Sequence, residues 1–205
     1  MIKNIIFDFG GVLYNLDFKK TIDAFGLLGF SDFESMFSQF QANSLFQDLE
    51  TGKISEDEFY KTIQLATPNP ITIQQIRDAW NALLLGYRTD SIEHLSRLNK
   101  RYNLFLLSNT NKIHHDYFSA QLMETTNQSS LDNYFTKAYY SHQIGLRKPN
   151  EDIFEFVIKD SGINAAETIF IDDTFSNLPP AESLGMKTIL LNPGKLIEEI
   201  DFSAY

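Results

Sequence analysis

Four short polar motifs stand at, or a few residues beyond, apolar runs that predict buried strands. They are Asp8, Ser108-Asn109-Thr110, Lys148-Pro149 and Asp172-Asp173. Adjacent carboxylates at a strand end repel each other, so a cation is expected among them. The available ligands are oxygens and the chain has no cysteine, which favours a hard ion such as Mg²⁺. Such an ion, together with Lys148, would let an anionic carboxylate approach an anionic phosphate, so these residue types predict phosphoryl chemistry.

Each motif also has an ordinary structural explanation when it is taken alone. Asp8 and Asp172-Asp173 could each begin a turn, and Ser108 could cap a helix. Lys148 could be an exposed charge. The occurrence of all four motifs in order at or near strand ends favours one common site, because open α/β sheets place their chemistry beyond the carboxyl ends of the strands.

Alternating strands and helices from residue 88 to the end predict the framework that holds these motifs. Ile5, Ile6 and Phe7 form a continuous apolar run, which is typical of a strand buried on both faces. The further predicted elements are strands at 104–107, 138–141, 168–171 and 188–191, and helices at 90–102, from about 111, at 151–161 and at 178–184. This pattern predicts an α/β fold with a Rossmann-like parallel five-stranded sheet flanked by helices.

Residues 15–87 show helical spacing throughout and no convincing strand. One helix should begin at the capping box Ser55-Glu56-Asp57-Glu58 and end at Pro68-Asn69-Pro70. The other three are predicted from apolar positions: Phe18, Ile22, Phe25 and Leu28; Phe33, Met36, Phe37 and Phe40; and Ile73, Ile76, Trp80, Leu83 and Leu84 within residues 72–85. The sequence therefore predicts an inserted four-helix cap domain at 15–87, and a catalytic core made of 1–14 and 88–205.

Composition narrows the classes of function. The 205 residues include 17 basic and 27 acidic ones, and the net charge of -10 argues against nucleic acid as a partner. The absence of cysteine excludes disulfides and thiolate chemistry. Met1 leads directly into the first strand and no apolar stretch is long enough for a membrane span. We expect a cytoplasmic protein without a membrane partner, either a monomer or a weak homodimer.

The motifs together resemble a known family. Asp8-x-Gly10-Gly11-Val12-Leu13, Ser108-Asn109, Lys148-Pro149 and Asp172-Asp173-x-x-x-Asn177 are similar to the four motifs of the haloacid dehalogenase-like (HAD) hydrolase superfamily. The insertion lies where members with a helical cap of the C1 subclass carry theirs. Ser108-Asn109-Thr110-Asn111-x-x-His114 and Gly145-x-Arg147-Lys148-Pro149 further resemble the branch that contains an α-D-glucose-1-phosphate phosphatase.

The resemblance implies a Mg²⁺-dependent phosphatase of small phosphorylated metabolites, such as sugar 1-phosphates, which works through an aspartyl-phosphate. Asp8 would be the nucleophile, and Lys148 would stabilise charge on the phosphoryl group in the transition state. The implied Mg²⁺ ligands are Asp8, the Gly10 carbonyl and Asp173, with Asp172 coordinating directly or through water. The implied phosphate contacts are Ser108, the backbone N–H of Asn109, and Gly11, with Asn177 orienting Lys148. Lys53, in the turn after Gly52, would reach the substrate from the cap, although a solvated turn is an equal alternative.

One position departs from the phosphatase pattern. Most phosphatases of the superfamily carry a second Asp two residues after the nucleophile, which acts as general acid and then as base, and this chain has Gly10 there. His114 is the best-placed substitute, with a packing or surface histidine as the alternative. Two other functions stay open: a haloacid dehalogenase, which needs no metal, and a low-activity regulatory or binding protein that has lost the acid. The expected partner is a small phosphate ester.

Overall fold

The computed structural model of the chain describes residues 1–30, 33, 45–67, 69–126 and 128–205. Five parallel strands form the main sheet, in the order β5-β4-β1-β6-β7. The strands along the chain are β1 (Asn4–Phe7), β2 (Tyr14–Leu16), β3 (Leu84–Tyr87), β4 (Asn103–Ser108), β5 (Lys137–Tyr140), β6 (Thr168–Asp172) and β7 (Lys187–Leu190). The predicted parallel five-stranded sheet is confirmed.

Nine α-helices lie in the described part of the chain, and they include those predicted on either side of the sheet. They are α1 (Phe18–Leu27), α2 (Leu45–Glu50), α3 (Glu56–Leu65), α4 (Ile73–Asn81), α5 (Thr89–Leu98), α6 (Lys112–Thr126), α7 (Ser141–Ile144), α8 (Glu151–Ser161) and α9 (Leu178–Ser183). The capping box at Ser55 is confirmed, and Thr72 forms a second one with Gln75 at the start of α4. No helix among the described residues is both long enough and apolar enough to cross a membrane.

The prediction of an entirely helical segment at 15–87 is wrong at both of its ends. β2 and β3 pair as an antiparallel ribbon, with Tyr14 opposite Tyr87 and Leu16 opposite Leu84. Leu84 continues the apolar spacing of α4, which is why the pattern favoured one long helix, but α4 ends at Asn81. The ribbon forms in place of a longer helix, and it is stabilised by edge-to-face packing of the buried Tyr14 and Tyr87 rings, whose centroids are 4.9 Å apart.

Both faces of the sheet are buried, as the apolar runs predict. Ile5 and Phe7 belong to one hydrophobic cluster and Ile6 belongs to the cluster on the opposite face. Side chains of this kind contribute about 1.5–3 kcal/mol each when they are fully buried, so β1 is held firmly from both sides.

A third hydrophobic cluster fills the segment at 15–87, called here the inserted segment. Its members are Phe25, Phe30, Phe33, Phe46, Leu49, Phe59, Tyr60, Ile63, Ile71, Ile76, Ala79 and Trp80, joined by Ile113 from α6. These residues therefore form a core of their own that also contacts α6. The division into a cap domain and a catalytic core stays a prediction, and Met36, Phe37, Phe40 and Pro68 lie outside the described residues.

Candidate active site

The parallel register brings the predicted strand-end residues to one edge of the sheet, called here the carboxyl edge. Phe7 of β1 is level with Leu106 of β4 and with Ile171 of β6. Asp8 follows Phe7 directly, and its backbone N–H donates to the Ile171 carbonyl at 2.8 Å. Asp8, Ser108 and Asp172 therefore lie at the ends of three neighbouring strands. All three are buried.

Lys148 joins two of the carboxylates at this edge. Its Nζ lies 2.6 Å from Asp8 Oδ1 and 2.6 Å from Asp172 Oδ2, and its side chain is 1% exposed. Burial opposes the charge on this ammonium, but Asp8 and Asp172 outweigh it and raise the pKa of Lys148 above its ordinary value. Lys148 is therefore a fixed buried cation, and not the exposed charge of the alternative interpretation.

Asn109 fixes the backbone that carries Lys148. Its side-chain Nδ2 donates to the Lys148 carbonyl and its Oδ1 accepts from the Lys148 N–H, both at 2.9 Å. The next residue, Thr110, makes a similar pair of 2.9 Å hydrogen bonds between its backbone and the Ser141 hydroxyl. The Asn109 side chain thus positions Lys148, and the phosphate contact of the Asn109 backbone N–H stays a prediction.

Asn177 contacts Asp172 instead of Lys148. Its Nδ2 donates to both Asp172 oxygens, at 3.1 and 3.0 Å, and the Thr174 N–H donates to Asp172 Oδ1 at 2.8 Å. The prediction that Asn177 orients Lys148 therefore needs correction, since it acts on Lys148 only through Asp172. The reason is local, because the short helix Phe175–Asn177 turns Asn177 back towards the end of β6.

Asp8, Asp172 and Asp173 form an acidic cluster that could hold a metal ion. Each offers a carboxylate oxygen, and the three atoms lie within 4.8 Å of one another. Burial raises the pKa of Asp8, and the charges of Asp172 and Asp173 add to this rise while Lys148 opposes it. The pKa of Asp173 is likewise raised by burial and by Asp172. A hard divalent cation fits this site, because it would relieve the repulsion and accept oxygen ligands.

Gly11 leaves the space that Asp173 needs. Its φ is +71°, and a Cβ at this position would lie 1.9 Å from Asp173 Oδ2. Gly10 has no such φ, and a Cβ there would meet only the end of the Leu16 side chain, at 2.6 Å. The geometry gives Gly11 a steric role. Its predicted phosphate contact, and the predicted metal contact of the Gly10 carbonyl, stay predictions.

A cavity of about 210 Å³ lies between the carboxyl edge and the inserted segment. Its lining includes Gly10, Ser108, Asn109 and His114 from the predicted site. Most of the wall from the inserted segment is apolar or aromatic, and consists of Leu16, Phe18, Ile22, Phe33, Phe46, Trp80, Leu83 and Leu84. The cavity therefore lies beside the strand-end residues and combines a few polar side chains with a mostly apolar wall.

His114 is held as a neutral imidazole in the cavity wall. Its Nδ1 lies 2.9 Å from Asn81 Oδ1, and its ring stacks on Trp80 with centroids 5.0 Å apart. Burial lowers the pKa of His114 to about 3. An imidazolium is therefore not available near neutral pH, which argues against His114 as the substitute general acid.

Lys53 does not reach the cavity. Its side chain is 67% exposed and lies 3.8 Å from Asp48. The turn before it does contact the part of the chain around the main sheet (residues 1–14 and 88–205), called here the sheet unit, because a Cβ on Gly52 would lie 2.4 Å from the His142 carbonyl oxygen. Glu50, at the end of α2, lines the cavity instead. The interpretation of Lys53 as a solvated turn residue fits the structure better than the specificity role.

Two residues that line the cavity, Glu50 and Arg147, were given no role in the sequence analysis. Arg147 Nε lies 2.9 Å from Glu50 Oε2. Burial raises the pKa of Glu50, and Arg147 opposes this rise. The available signals were the position of Arg147 next to Lys148 and that of Glu50 at the last turn of an amphipathic helix beside a glycine turn.

A family model described as haloacid dehalogenase-like hydrolase matches residues 2–185 of this chain. The chain belongs to this family. It is 36% identical over 188 residues to a D-ribitol-5-phosphate phosphatase of Bacteroides thetaiotaomicron, which covers 92% of this chain and 91% of that protein.

Two solved HAD structures resemble the fold closely. One is a HAD family enzyme of Bacteroides thetaiotaomicron in complex with magnesium and inorganic phosphate, with a TM-score of 0.86, 34% identity, and coverage of 100% of this chain and 98% of that one. The other is a predicted HAD-like hydrolase of Porphyromonas gingivalis, with a TM-score of 0.86, 39% identity, and coverage of 95% and 93%. These similarities confirm the HAD assignment.

Proposed function

We propose that this HAD hydrolase is a Mg²⁺-dependent phosphatase of small sugar or polyol phosphates that works through an aspartyl-phosphate. The observation that carries the proposal is the buried Asp8–Lys148–Asp172 arrangement with Asp173 beside it. The ribitol-phosphate phosphatase and the magnesium and phosphate complex among the relatives support this substrate class and this ion. The narrower resemblance to the branch of glucose-1-phosphate phosphatases stays a prediction.

Asp8 is the nucleophile in this mechanism. Lys148 holds its Oδ1, while its Oδ2 has no hydrogen bond within the described residues, and the side chain is 12% exposed. That free oxygen attacks phosphorus, the bond from phosphorus to the ester oxygen breaks, and the electron pair leaves with that oxygen. Water then cleaves the aspartyl-phosphate, which releases inorganic phosphate and restores Asp8.

The other residues at the carboxyl edge bind and orient. The Lys148 ammonium is within reach of Asp8 and offsets charge on the transferring phosphoryl group. Ser108 and the Asn109 N–H, at the neighbouring strand end, are the proposed phosphate contacts. Asp8, Asp173, Asp172 and the Gly10 carbonyl would hold Mg²⁺, which supplies positive charge that lets an anionic phosphate approach an anionic carboxylate. Asp172 is already hydrogen-bonded at both oxygens, so Asp8 and Asp173 offer the freer ligand atoms.

The two alternative functions fit the site less well. A haloacid dehalogenase attacks carbon and needs no metal, so it has no use for the cluster of three carboxylates. A regulatory protein without turnover would not need a buried Lys148 aligned on Asp8. The residue absent at Gly10 would have protonated the leaving oxygen and then activated the attacking water, so its loss slows turnover but removes neither the nucleophile, nor Lys148, nor the acidic cluster.

Metal removal tests the proposal. We expect hydrolysis of p-nitrophenyl phosphate or a polyol phosphate to stop in EDTA and to return with Mg²⁺, because the carboxylates alone repel the phosphate. Asp173→Asn should lower the Mg²⁺ affinity and cut turnover by several orders of magnitude while the circular dichroism spectrum is retained. Asp23→Asn, in an exposed ion pair with Lys19, is the control. Full activity in EDTA would overturn the metal assignment.

The segment at 15–87 would act as the cap that covers the cavity and excludes water from the reaction. The acidic net charge supports the absence of a nucleic acid partner. A cytoplasmic location and a monomeric or weakly dimeric state stay predictions from the sequence.

A further inference from the structure

An ion pair crosses from the sheet unit to the inserted segment inside the cavity. Arg147 lies directly before Lys148, and its Nε is 2.9 Å from Oε2 of Glu50, the last residue of α2. Both side chains are mostly buried and both line the cavity. Among the described residues of that lining, these two alone carry a full charge. Any recognition of charge on the leaving group therefore involves this pair.

The backbone on each side of the pair is firmly placed. The hydrogen bonds from Asn109 fix Lys148 next to Arg147, and the Asn150 N–H donates to the Arg147 carbonyl at 3.1 Å. On the other side, the Gly52 turn packs on the His142 carbonyl, which places the end of α2 against the sheet unit. The ion pair is therefore held at a fixed position relative to Lys148 and hence to Asp8.

The Arg147–Glu50 pair can form further hydrogen bonds. Within the described residues, the two terminal amino groups of Arg147 and the Oε1 of Glu50 have no protein partner. A hydroxyl group can accept a hydrogen bond from Arg147 and donate one to Glu50. A carboxylate or a phosphate has no proton to donate to Glu50. The Glu50 carboxylate also repels such an anion, and the charge of the Arg147 guanidinium is already balanced by Glu50.

We propose that the Arg147–Glu50 pair determines specificity by selecting neutral, hydroxyl-bearing leaving groups and rejecting those that carry a carboxylate or a second phosphate. This inference rests on the proposed function and narrows its substrate class. Glu50 is the rejecting element, since its carboxylate cancels the attraction that Arg147 alone would exert on an anion. Arg147 without Glu50 would favour anionic groups, and Glu50 without Arg147 would reject them more strongly.

Two substrates that differ at a single carbon test the pair. Glycerol 3-phosphate carries a hydroxymethyl group where 3-phosphoglycerate carries a carboxylate. The measured quantity is the ratio of kcat/KM for 3-phosphoglycerate to kcat/KM for glycerol 3-phosphate, with Mg²⁺ present. We expect a ratio below one for the wild type, a rise of about tenfold or more in Glu50→Gln, and a fall in Arg147→Gln.

The two variants should change this ratio in opposite directions. A general distortion of the site would instead lower kcat/KM for both substrates together, so the direction of change separates an effect on specificity from structural damage. Asp48→Asn is the matched control: it is on the same helix, its carboxylate faces Lys53, and it does not line the cavity, so the ratio should not change. If Glu50→Gln fails to fold, Arg147→Gln carries the test with the opposite expected sign.

Hydrolysis of p-nitrophenyl phosphate distinguishes the two possible failures. A wild type that hydrolyses neither this aryl ester nor the glycerol ester overturns the proposed function. A wild type that hydrolyses them, with the ratio unchanged in the folded variants, overturns the role of Arg147 and Glu50 and leaves the phosphatase assignment intact.

Discussion

At the scale of single residues, the adjacent glycines Gly10 and Gly11 have different structural roles. Gly11→Ala would place a methyl group 1.9 Å from Asp173 Oδ2 at a φ of +71°. A left-handed backbone costs about 1–2 kcal/mol for a residue with a side chain, and the displaced Asp173 would lose its position in the acidic cluster. We expect Gly11→Ala to lower both the melting temperature and the apparent affinity for Mg²⁺, measured by the dependence of activity on Mg²⁺ concentration.

Gly10→Ala is the matched control for this prediction. Its methyl group meets the end of the Leu16 side chain, which can rotate away, and its backbone is not in the left-handed region. The loss of Mg²⁺ affinity should therefore be much smaller than in Gly11→Ala. Equal losses in the two variants would show that Gly11 has no special role beside Asp173.

At the scale of elements, capping boxes stabilise α3 and α4 in the inserted segment. The Ser55 hydroxyl accepts from the Glu58 N–H at 3.2 Å, and the Ser55 N–H donates to Glu58 Oε2 at 2.8 Å. Removing an N-cap side chain typically costs about 1 kcal/mol. We expect Ser55→Ala to lower the free energy of unfolding by about that amount, measured by urea denaturation.

The same helix offers a control that lacks a capping role. The Thr62 hydroxyl donates to the Glu58 carbonyl within the helix, on its exposed side. Thr62→Ala should be neutral or slightly stabilising, because alanine is the better helix former. A loss in Thr62→Ala as large as that in Ser55→Ala would contradict the assignment of the loss to the cap.

At the scale of the whole molecule, buried histidines should make the fold sensitive to acid. Burial lowers the pKa of His114 to about 3 and that of His142 to about 4, whereas an unfolded histidine has a pKa near 6.5. At pH values between the folded and the unfolded pKa, each of these histidines is protonated in the unfolded chain and neutral in the folded chain. The contribution of these two histidines to stability is therefore complete above about pH 6.5 and is lost as the pH decreases towards the folded values.

His114→Gln should reduce the loss of folding stability at low pH. Glutamine does not titrate, and its amide can still donate to Asn81 Oδ1. Measured by urea denaturation from pH 8 to pH 4, the variant should show a slope of unfolding free energy against pH that is smaller by up to about 1.4 kcal/mol per pH unit below pH 6. Above pH 7 the two slopes should agree, and a slope unchanged below pH 6 would mean that His114 is protonated in the folded protein.

Local sequence patterns were sufficient for the α/β fold and for the position of the carboxyl edge. The apolar run before Asp8 predicted a strand buried on both faces, and parallel strands necessarily end at the same edge. That topology alone brings Asp8, Ser108 and Asp172 together across more than a hundred residues of sequence. The roles assigned to these residues stay predictions, but their proximity follows from periodicity and strand direction.

Contacts between side chains of distant elements depend on orientations that periodicity does not specify. The pairing of β2 with β3 competes with the continuation of α4, and ring packing of Tyr14 on Tyr87 favours the ribbon. Glu50 faces the cavity while Lys53 faces solvent, because the Gly52 turn docks on the His142 carbonyl. The neutral state of His114 likewise arises from burial against Trp80. These features required the tertiary structure, because they come from packing and desolvation between segments that are distant in the sequence.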